Sequence, residues 1–460
     1  MIEFDIIVIG AGPAGMSAAR CGAEFGTNVL LIDDQASGGG QVYRNVEHAS
    51  SEQCMILGPD YEVGLGLIRS LEHIDITIEQ SATVWRVDTD GTVTYSIKSD
   101  AKQAKGRHLI IATGALERPT PVPGWTLPGA MTVGAAQIML KSSGVAPQNA
   151  VLTGSGPLLY LFAHQLIEAG VPPKALIETQ TLKNVLSAVR YLPGAVRTPS
   201  YLKKGWGMLK AIKRAGVPRF VGATDIAIKG EGSVSGVSFV RAGRRNDIPC
   251  ETILLHSGVV PNIQMTQSLR LEHEWDEAQR CFKPKCNIVG VTSNPKISVA
   301  GDGAGISGAK AAAIGGELAA LGALEKLKLI ETQAIEPKRN SLLQARSKEL
   351  AIRPFLDALY RVPNEILRPN DEVMICRCEE VTAGNIRRYA QLGCTGPNQT
   401  KALGRPGMGP CQGRFCGLTV TELLAEANDA HPDDVGYFRI RSPLKPVSLG
   451  EVATLADENN

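Results

Sequence analysis

The first 33 residues constrain this chain more than any other stretch. FDIIVI at 4–9 is apolar apart from one aspartate and rich in isoleucine and valine, which predicts a buried parallel strand. GAGPAG follows without a gap, then the helix-forming run MSAARCGAEF, then a second apolar strand, NVLLID, ending at Asp33. Strand, glycine loop, helix and strand, with an acid 23 positions after the first glycine, is the pattern of a dinucleotide site. Gly10 permits the tight turn, Gly12 leaves room for a pyrophosphate, and Gly15 lets the helix lie close on the sheet. Gly10, Gly12, Ala14 and Gly15 are therefore candidate cofactor contacts. The helix N-terminus offers N–H groups to the phosphates, and Asp33 is placed to accept hydrogen bonds from a ribose.

A chain of 460 residues has length for about two to four domains. Its 49 glycines and only 5% aromatics suit an α/β protein with many tight turns. A net charge of +2 with 20% charged residues gives no nucleic-acid-binding surface and no disordered polyelectrolyte. The N-terminus runs straight into a strand without a secretory pattern. No apolar run reaches the roughly 18 residues of a membrane span. The expectation is a cytoplasmic protein, with docking on a membrane surface left open.

NAVLTGSGPLLYLFAHQLIEAG at 149–170 repeats the strand, glycine loop and helix, and the next strand, KALIE, ends at Glu178. Here the third glycine is replaced by Leu159, whose bulk should hold the helix off the sheet. A nicotinamide dinucleotide, another nucleotide or flavin, and a purely structural insert all remain open for this site. Lys213, Arg214, Arg244 and Arg245 read as solvated faces, and His164 and His256 as packing residues. No residue stands out as catalytic.

Two further segments, RHLIIATGA at 107–115 and ISVAGDGAG at 297–305, resemble the recurring patterns of two-dinucleotide-domain flavoproteins. The resemblance implies FAD rather than NAD in the first site. It places Thr113 and Gly114 near the adenosine and pyrophosphate, Asp302 near the ribityl and pyrophosphate, and Gly39, Gly40 and Gln41 close to the flavin. Disulfide-reducing members carry a cysteine pair soon after the second strand. Only Cys54 stands there in this chain, which excludes that chemistry.

Five of the ten cysteines fall between Cys376 and Cys416. Cys376 and Cys378 form a CxC pair, and Cys411 and Cys416 a Cx4C pair, both among glycines and turn formers. Two such turns can gather four thiolates around a metal group. Zinc favours CxxC knuckles, unlike this spacing. The segment, with CRCE, NQTK and RPGMGPCQG, resembles the [2Fe-2S] domain of bacterioferritin-associated ferredoxin. That implies cluster ligation by Cys376, Cys378, Cys411 and Cys416. Cys394, Cys281, Cys286, Cys21 and Cys250 read as packing residues.

The complete order resembles the A (alpha) subunit of opine oxidases, an architecture shared with the hydrogen cyanide synthase B subunit and heteromeric hydroxyproline and amino-acid dehydrogenases. The expected fold is an α/β two-dinucleotide-binding-domain flavoprotein with a small C-terminal [2Fe-2S] domain. Its expected divisions are 1–125 and 256–330 for the FAD domain, 126–255 for the insert, 331–370 for a helical linker, 371–430 for the cluster domain and 431–460 for the tail. The resemblance further implies a partner B subunit that carries its own FAD, resembles glycine or sarcosine oxidase, and oxidises a C–N bond. This chain would then pass electrons to an acceptor, with FMN at the junction in some relatives. A self-contained NAD(P)H oxidoreductase and an iron-sulfur regulatory or iron-handling protein are the alternatives.

Overall fold

The computed structural model describes residues 2–72 and 74–457. The strand Ile2–Ile9 is central because its second half is apolar on both faces, with Ile6 to Ile9 at most 4% exposed. It pairs in parallel with Val29–Ile32 on one side and with Asp100–Ile111 on the other. Thr77–Glu79 extends the sheet beyond Val29–Ile32, and Ile297–Val299 extends it beyond Asp100–Ile111. The long strand Asp100–Ile111 serves two neighbours. Its first half pairs antiparallel with Thr92–Ile97, and its last three residues pair with Ile297–Val299. Ile9 lies beside Ile32 and Ile111, and Ile111 beside Val299, so four strands end flush. In open α/β sheets this carboxyl edge is where ligands bind.

One face of the sheet is covered by the helices Pro13–Glu24 and Ala309–Lys326, which touch backbone to backbone. A Cβ on Gly316 would lie 1.9 Å from the Ala14 carbonyl oxygen, so only glycine fits there. A second unit is built on a five-stranded parallel sheet in the order Arg219–Val221, Ala175–Glu178, Val151–Ser155, Ile253–Ser257, Ala130–Thr132. A three-stranded antiparallel sheet spanning 224–249 accompanies it. The chain enters and leaves this unit through the antiparallel pair Ala115–Glu117 and Val259–Pro261. Two α/β units, the second inserted in the first, thus share one double crossing.

Beyond Lys326 the chain is a strap rather than a spacer. The helix Thr332–Leu350 lies on Ala309–Lys326 of the first unit, Arg353–Leu359 packs against Leu182–Val189 of the inserted unit, and after Asn364–Leu367 the chain adds Ile366 and Val373 to that unit's core. The separate C-terminal domain expected from the sequence is a correction. Ile375, Val381, Ile386, Val420 and Leu423 share one continuous apolar core with Ile7, Ile9, Leu30, Ile32 and Ile111 of the first sheet. A segment of this size buries too little of its own surface to stand alone comfortably. It instead covers the sheet face that the two helices leave open.

An ion cluster fixes this packing. Glu422, in the helix Gly417–Ala427, is fully buried. Arg280 Nη2 donates to both its oxygens at 2.6 Å, and Arg368 donates to Oε2 at 3.2 and 3.3 Å. Removing one partner of a buried ion pair costs about 3–5 kcal/mol, because the other charge is left uncompensated. Glu422→Ala should therefore lower unfolding stability by about 3 kcal/mol in urea titration. A loss under about 0.5 kcal/mol, usual for a surface change, would show that the cluster does not anchor the C-terminal segment.

Candidate functional site

The carboxyl edge of the first sheet gathers the residues singled out in the sequence. Asp33 Oδ2 accepts from the Ala11 N–H at 2.5 Å, and Oδ1 from the Gln35 N–H at 2.7 Å. Burial pushes its carboxyl above the ordinary value, against the downward pull of these two donors. Asp33 thus ties the glycine loop to the second strand. A carboxylate has about four acceptor positions, so capacity remains for a ribose hydroxyl.

The three loop glycines differ in what surrounds them. A Cβ on Gly10 would meet the Ala112 carbonyl oxygen at 2.5 Å, and one on Gly15 would meet the Gly10 carbonyl oxygen at 1.7 Å. Around Gly12 the nearest atom is Gly40 Cα at 3.8 Å, so the fold itself leaves that position open. Ala14 packs against Gly301, whose Cβ would come within 2.7 Å of Ala14 Cβ. The 37–44 segment folds back over the loop through Gly39 N–H to Ala11 O at 2.8 Å, bringing Gly40 over Gly12.

Lys141 holds that returning segment, and sequence patterning did not single it out. Its ammonium donates to the carbonyls of Gln41 and Val42, both at 2.9 Å, and to Gln137 Oε1 at 3.1 Å. Burial pulls the ammonium down to about 7, with Arg44 adding repulsion. The available signal was a lysine closing the otherwise apolar and small-residue run VGAAQIML. Gln41 also accepts from Arg44 Nη2 at 3.0 Å through its side chain.

Thr113 and Gly114 lie where the chain crosses to the second unit. Asn262 N–H donates to Gly114 O at 2.9 Å, and Thr113 Oγ1 to Asn262 O at 3.4 Å. Asp302 Oδ1 accepts from Ser307 N–H, Ser307 Oγ and Gly308 N–H at 2.8–2.9 Å. Asp302 therefore organises the turn into Ala309–Lys326, while its neighbour Gly303 abuts Gly114.

The second glycine loop is furnished differently. Glu178, at the position of the ribose acceptor, is fully buried. Arg219 donates to it bidentately at 2.7 and 2.8 Å, Tyr160 Oη at 2.5 Å and Gln180 Nε2 at 2.6 Å. Tyr360 of the strap packs on Tyr160, with ring centroids 6.1 Å apart. The fully buried Leu159 stands at the place of Gly15, where in the first loop even a Cβ would overlap the Gly10 carbonyl oxygen at 1.7 Å, so this helix cannot approach its loop as the first does. His256, expected as a packing residue, is buried with its Nδ1 2.6 Å from Glu117 Oε1. Glu117 Oε2 in turn accepts from Gly134 N–H at 2.7 Å.

The four cysteines meet as two pairs, each formed across the two turns rather than within one. Cys378 Sγ lies 3.8 Å from Cys411 Sγ, and Cys416 donates to Cys376. Cys376 is drawn down to about 6, first by Cys416 and then by N–H groups of Gly407, Glu379 and Cys378. Its partner Cys416 is pushed up. Gly409 packs on Cys378, where a Cβ would come within 2.2 Å of Cys378 Cβ. Among the described residues, no three His, Cys, Asp or Glu side chains gather into a group that could hold a metal ion. Two sulfur pairs are a different arrangement. A tetrahedral metal with metal–sulfur bonds of about 2.3 Å spaces its sulfurs about 3.8 Å apart. Cys394 is buried elsewhere, its carbonyl bound by Asn428 Nδ2 at 3.1 Å.

A family model described as pyridine nucleotide-disulphide oxidoreductase matches residues 4–317, and one described as the sarcosine oxidase A3 domain matches 372–456. The chain is 43% identical to the A subunit of opine oxidase from Rhizobium meliloti (strain 1021), over 99% of this chain and 100% of that protein. It belongs to the family of opine oxidase A subunits. It is also 32% identical to hydrogen cyanide synthase subunit HcnB of Pseudomonas aeruginosa, over 98% of this chain and 99% of that one. L-proline dehydrogenase from P. horikoshii shares the fold, with a TM-score of 0.71 at 18% identity, covering 98% of this chain and 79% of that one. The fold is that of an FAD-binding oxidoreductase with two dinucleotide-binding-type units. All ten cysteines are free thiols here, and Cys54 remains without a cysteine partner after the second strand.

The glycine contrast gives a test. Gly15→Ala should prevent proper folding, since its Cβ would enter the Gly10 carbonyl. Gly12→Asp should fold with near-normal thermal stability yet purify with at least about tenfold less FAD, from steric block and like charge beside the pyrophosphate. Cofactor extraction checks it, and FAD content equal to that of the wild type would remove the loop from the binding site.

Proposed function

We propose that this chain is the A subunit of a heteromeric FAD-dependent oxidase or dehydrogenase of opines or related amino acids. The observation that carries the reading is the match to the opine oxidase A subunit over 99% of one chain and 100% of the other. A partner B subunit, FAD-containing and similar to glycine or sarcosine oxidase, would remove hydride from the C–N bond. This chain would pass the electrons to an acceptor. Among the described residues no helix is long and apolar enough to cross a membrane.

FAD is assigned to Gly10, Gly12, Ala14, Gly15, Asp33, Thr113, Gly114 and Asp302, with Gly39, Gly40 and Gln41 toward the flavin. Support comes from the open space at Gly12 and from the clustering of these residues on one sheet edge. A [2Fe-2S] cluster is assigned to Cys376, Cys378, Cys411 and Cys416. Two sulfur pairs, one of them spaced at 3.8 Å, offer two thiolates to each iron, and the CxC and Cx4C spacings are unlike the CxxC knuckles of zinc sites. When bound, FAD takes up electron pairs and the cluster carries single electrons. The chain's own contribution is placement. Asp33 and Lys141 hold the loops that face the flavin site, and the N–H groups of Gly407, Cys378 and Glu379 face the Cys376 sulfur, where such donors tune potential. FMN between the two subunits belongs to the same reading, as do the divisions given above, with the cysteine segment packed on the first sheet rather than standing apart.

The self-contained NAD(P)H oxidoreductase is disfavoured, because Arg219, Tyr160 and Gln180 already occupy the Glu178 carboxylate that would meet the adenosine ribose of a nicotinamide dinucleotide. The test is turnover with octopine, nopaline, glycine, proline and hydroxyproline and an artificial electron acceptor. The chain alone should give less than about 1% of the rate it gives with its partner subunit, the loss expected when the reacting site is missing. NADH should not reduce its flavin. Robust oxidation by the isolated chain, or rapid NADH reduction, would overturn the assignment.

A further inference from the structure

Between Glu178 and Asp225 the chain carries nine lysines and arginines and no aspartate or glutamate. The same stretch forms three consecutive helices, Leu182–Val189, Leu192–Ala195 and Pro199–Arg214. The first is amphipathic with its apolar stripe turned outward. Leu182, Val185, Leu186 and Val189 recur at helical spacing, and all four are exposed, Leu182 at 73% and Leu186 at 66%. Ala188, on the other side, is buried. Val196 and Trp206 continue the exposed apolar surface, Trp206 at 64%. A chain gains nothing by showing such a stripe to water, and clustering of this kind marks a docking site.

The charges identify what docks. Lys204 is held by Asp60 at 2.6 Å, and Arg219 by Glu178. Among the described residues, Lys183, Arg190, Lys203, Lys210, Lys213 and Arg214 make no ion pair. The one other carboxylate bound in this region, Glu349, accepts from Tyr201 Oη at 2.7 Å. Cores of protein–protein interfaces are depleted in lysine. Aliphatic side chains and tryptophan bordered by lysine and arginine are the composition of helices that lie in a lipid interface, where long basic side chains reach the headgroups. Lys210 already lies over the Trp206 ring at 5.0 Å, so the ring and the charge share one place on the surface.

We infer that the face formed by Leu182–Arg214 docks this protein on an anionic lipid surface, with its aliphatic stripe and Trp206 in the acyl boundary and its lysines and arginines on the headgroups. The face belongs to the inserted unit and uses none of the residues assigned to FAD or to the four cysteines. Docking there leaves both sites intact.

The experiment is flotation of the purified complex of this chain with its partner subunit. Vesicles of phosphatidylcholine would be compared with vesicles of phosphatidylcholine and phosphatidylglycerol, at low and at high salt. The complex should float with the anionic vesicles at low salt and largely stay behind with the neutral ones. Lys203→Gln and Lys210→Gln should each weaken binding about fivefold, the share of one basic side chain at an anionic surface. Leu186→Gln should weaken it as well. These positions are exposed, so thermal stability and turnover in solution should not change. Failure of the wild-type complex to float with anionic vesicles, or equal flotation of the variants, overturns the proposal. So does slow hydrogen exchange of Leu182, Val185 and Leu186 in the lipid-free complex compared with the chain alone, because the partner subunit would then be what covers this face.

Discussion

The helix Gly417–Ala427 carries Glu422 into a place that water does not reach, and two arginines from distant parts of the chain meet it there. Arg280 comes from the turn between the strands His273–Asp276 and Cys281–Pro284, and Arg368 from the end of the strap. A carboxylate taken out of water costs several kcal/mol, and that cost is offset only while both guanidinium groups stay in place. Three segments are therefore held to one arrangement. Around this point the cysteine segment and the first sheet share an apolar core, in which Cys376 and Cys416 themselves are buried beside Ile9 and Ile111. The four-cysteine group is thus a lid on the flavin unit. Its position on the first sheet is set by packing.

The two glycine loops show how one backbone motif can be kept for different uses. In the first, the acid after the second strand holds the loop by two N–H bonds and retains acceptor capacity. In the second, the equivalent acid is consumed by an arginine fork, a tyrosine and a glutamine, and the strap lays Tyr360 against that tyrosine. The inserted unit is then free to serve as a platform. The strap helix Arg353–Leu359 packs against Leu182–Val189 and Leu192–Ala195, whose apolar stripe is left exposed.

Much of this was legible in the sequence because the first motif is local. Gly10, Gly12, Gly15 and Asp33 lie within 24 residues, and short-range geometry dictates what each does. The sequence shows Cys376 and Cys378 in one turn and Cys411 and Cys416 in another, but not which sulfur meets which. Cys378 meets Cys411 across 33 positions, a register that only the tertiary fold sets. Glu178 stands in the sequence where the first motif has Asp33, and nothing near it in sequence reveals Arg219, which arrives on the neighbouring strand. A small C-terminal domain beyond a helical linker at 331–370 was expected from the sequence, whereas the cysteine segment shares its core with the first sheet. Lys141 was overlooked because helical patterning speaks to apolar residues and is silent on a buried ammonium with three carbonyl-type acceptors.

The central claim is that electrons from amine oxidation pass through this chain's flavin site to its four-cysteine group. The most direct measurement is electron paramagnetic resonance of the complex with its partner subunit, frozen after anaerobic addition of the opine or amino acid it oxidises. The account predicts a reduced [2Fe-2S] signal that appears with substrate, fails to appear with NADH, and is missing in Cys411→Ala. Bleached flavin with no iron-sulfur signal in the wild-type complex would contradict it.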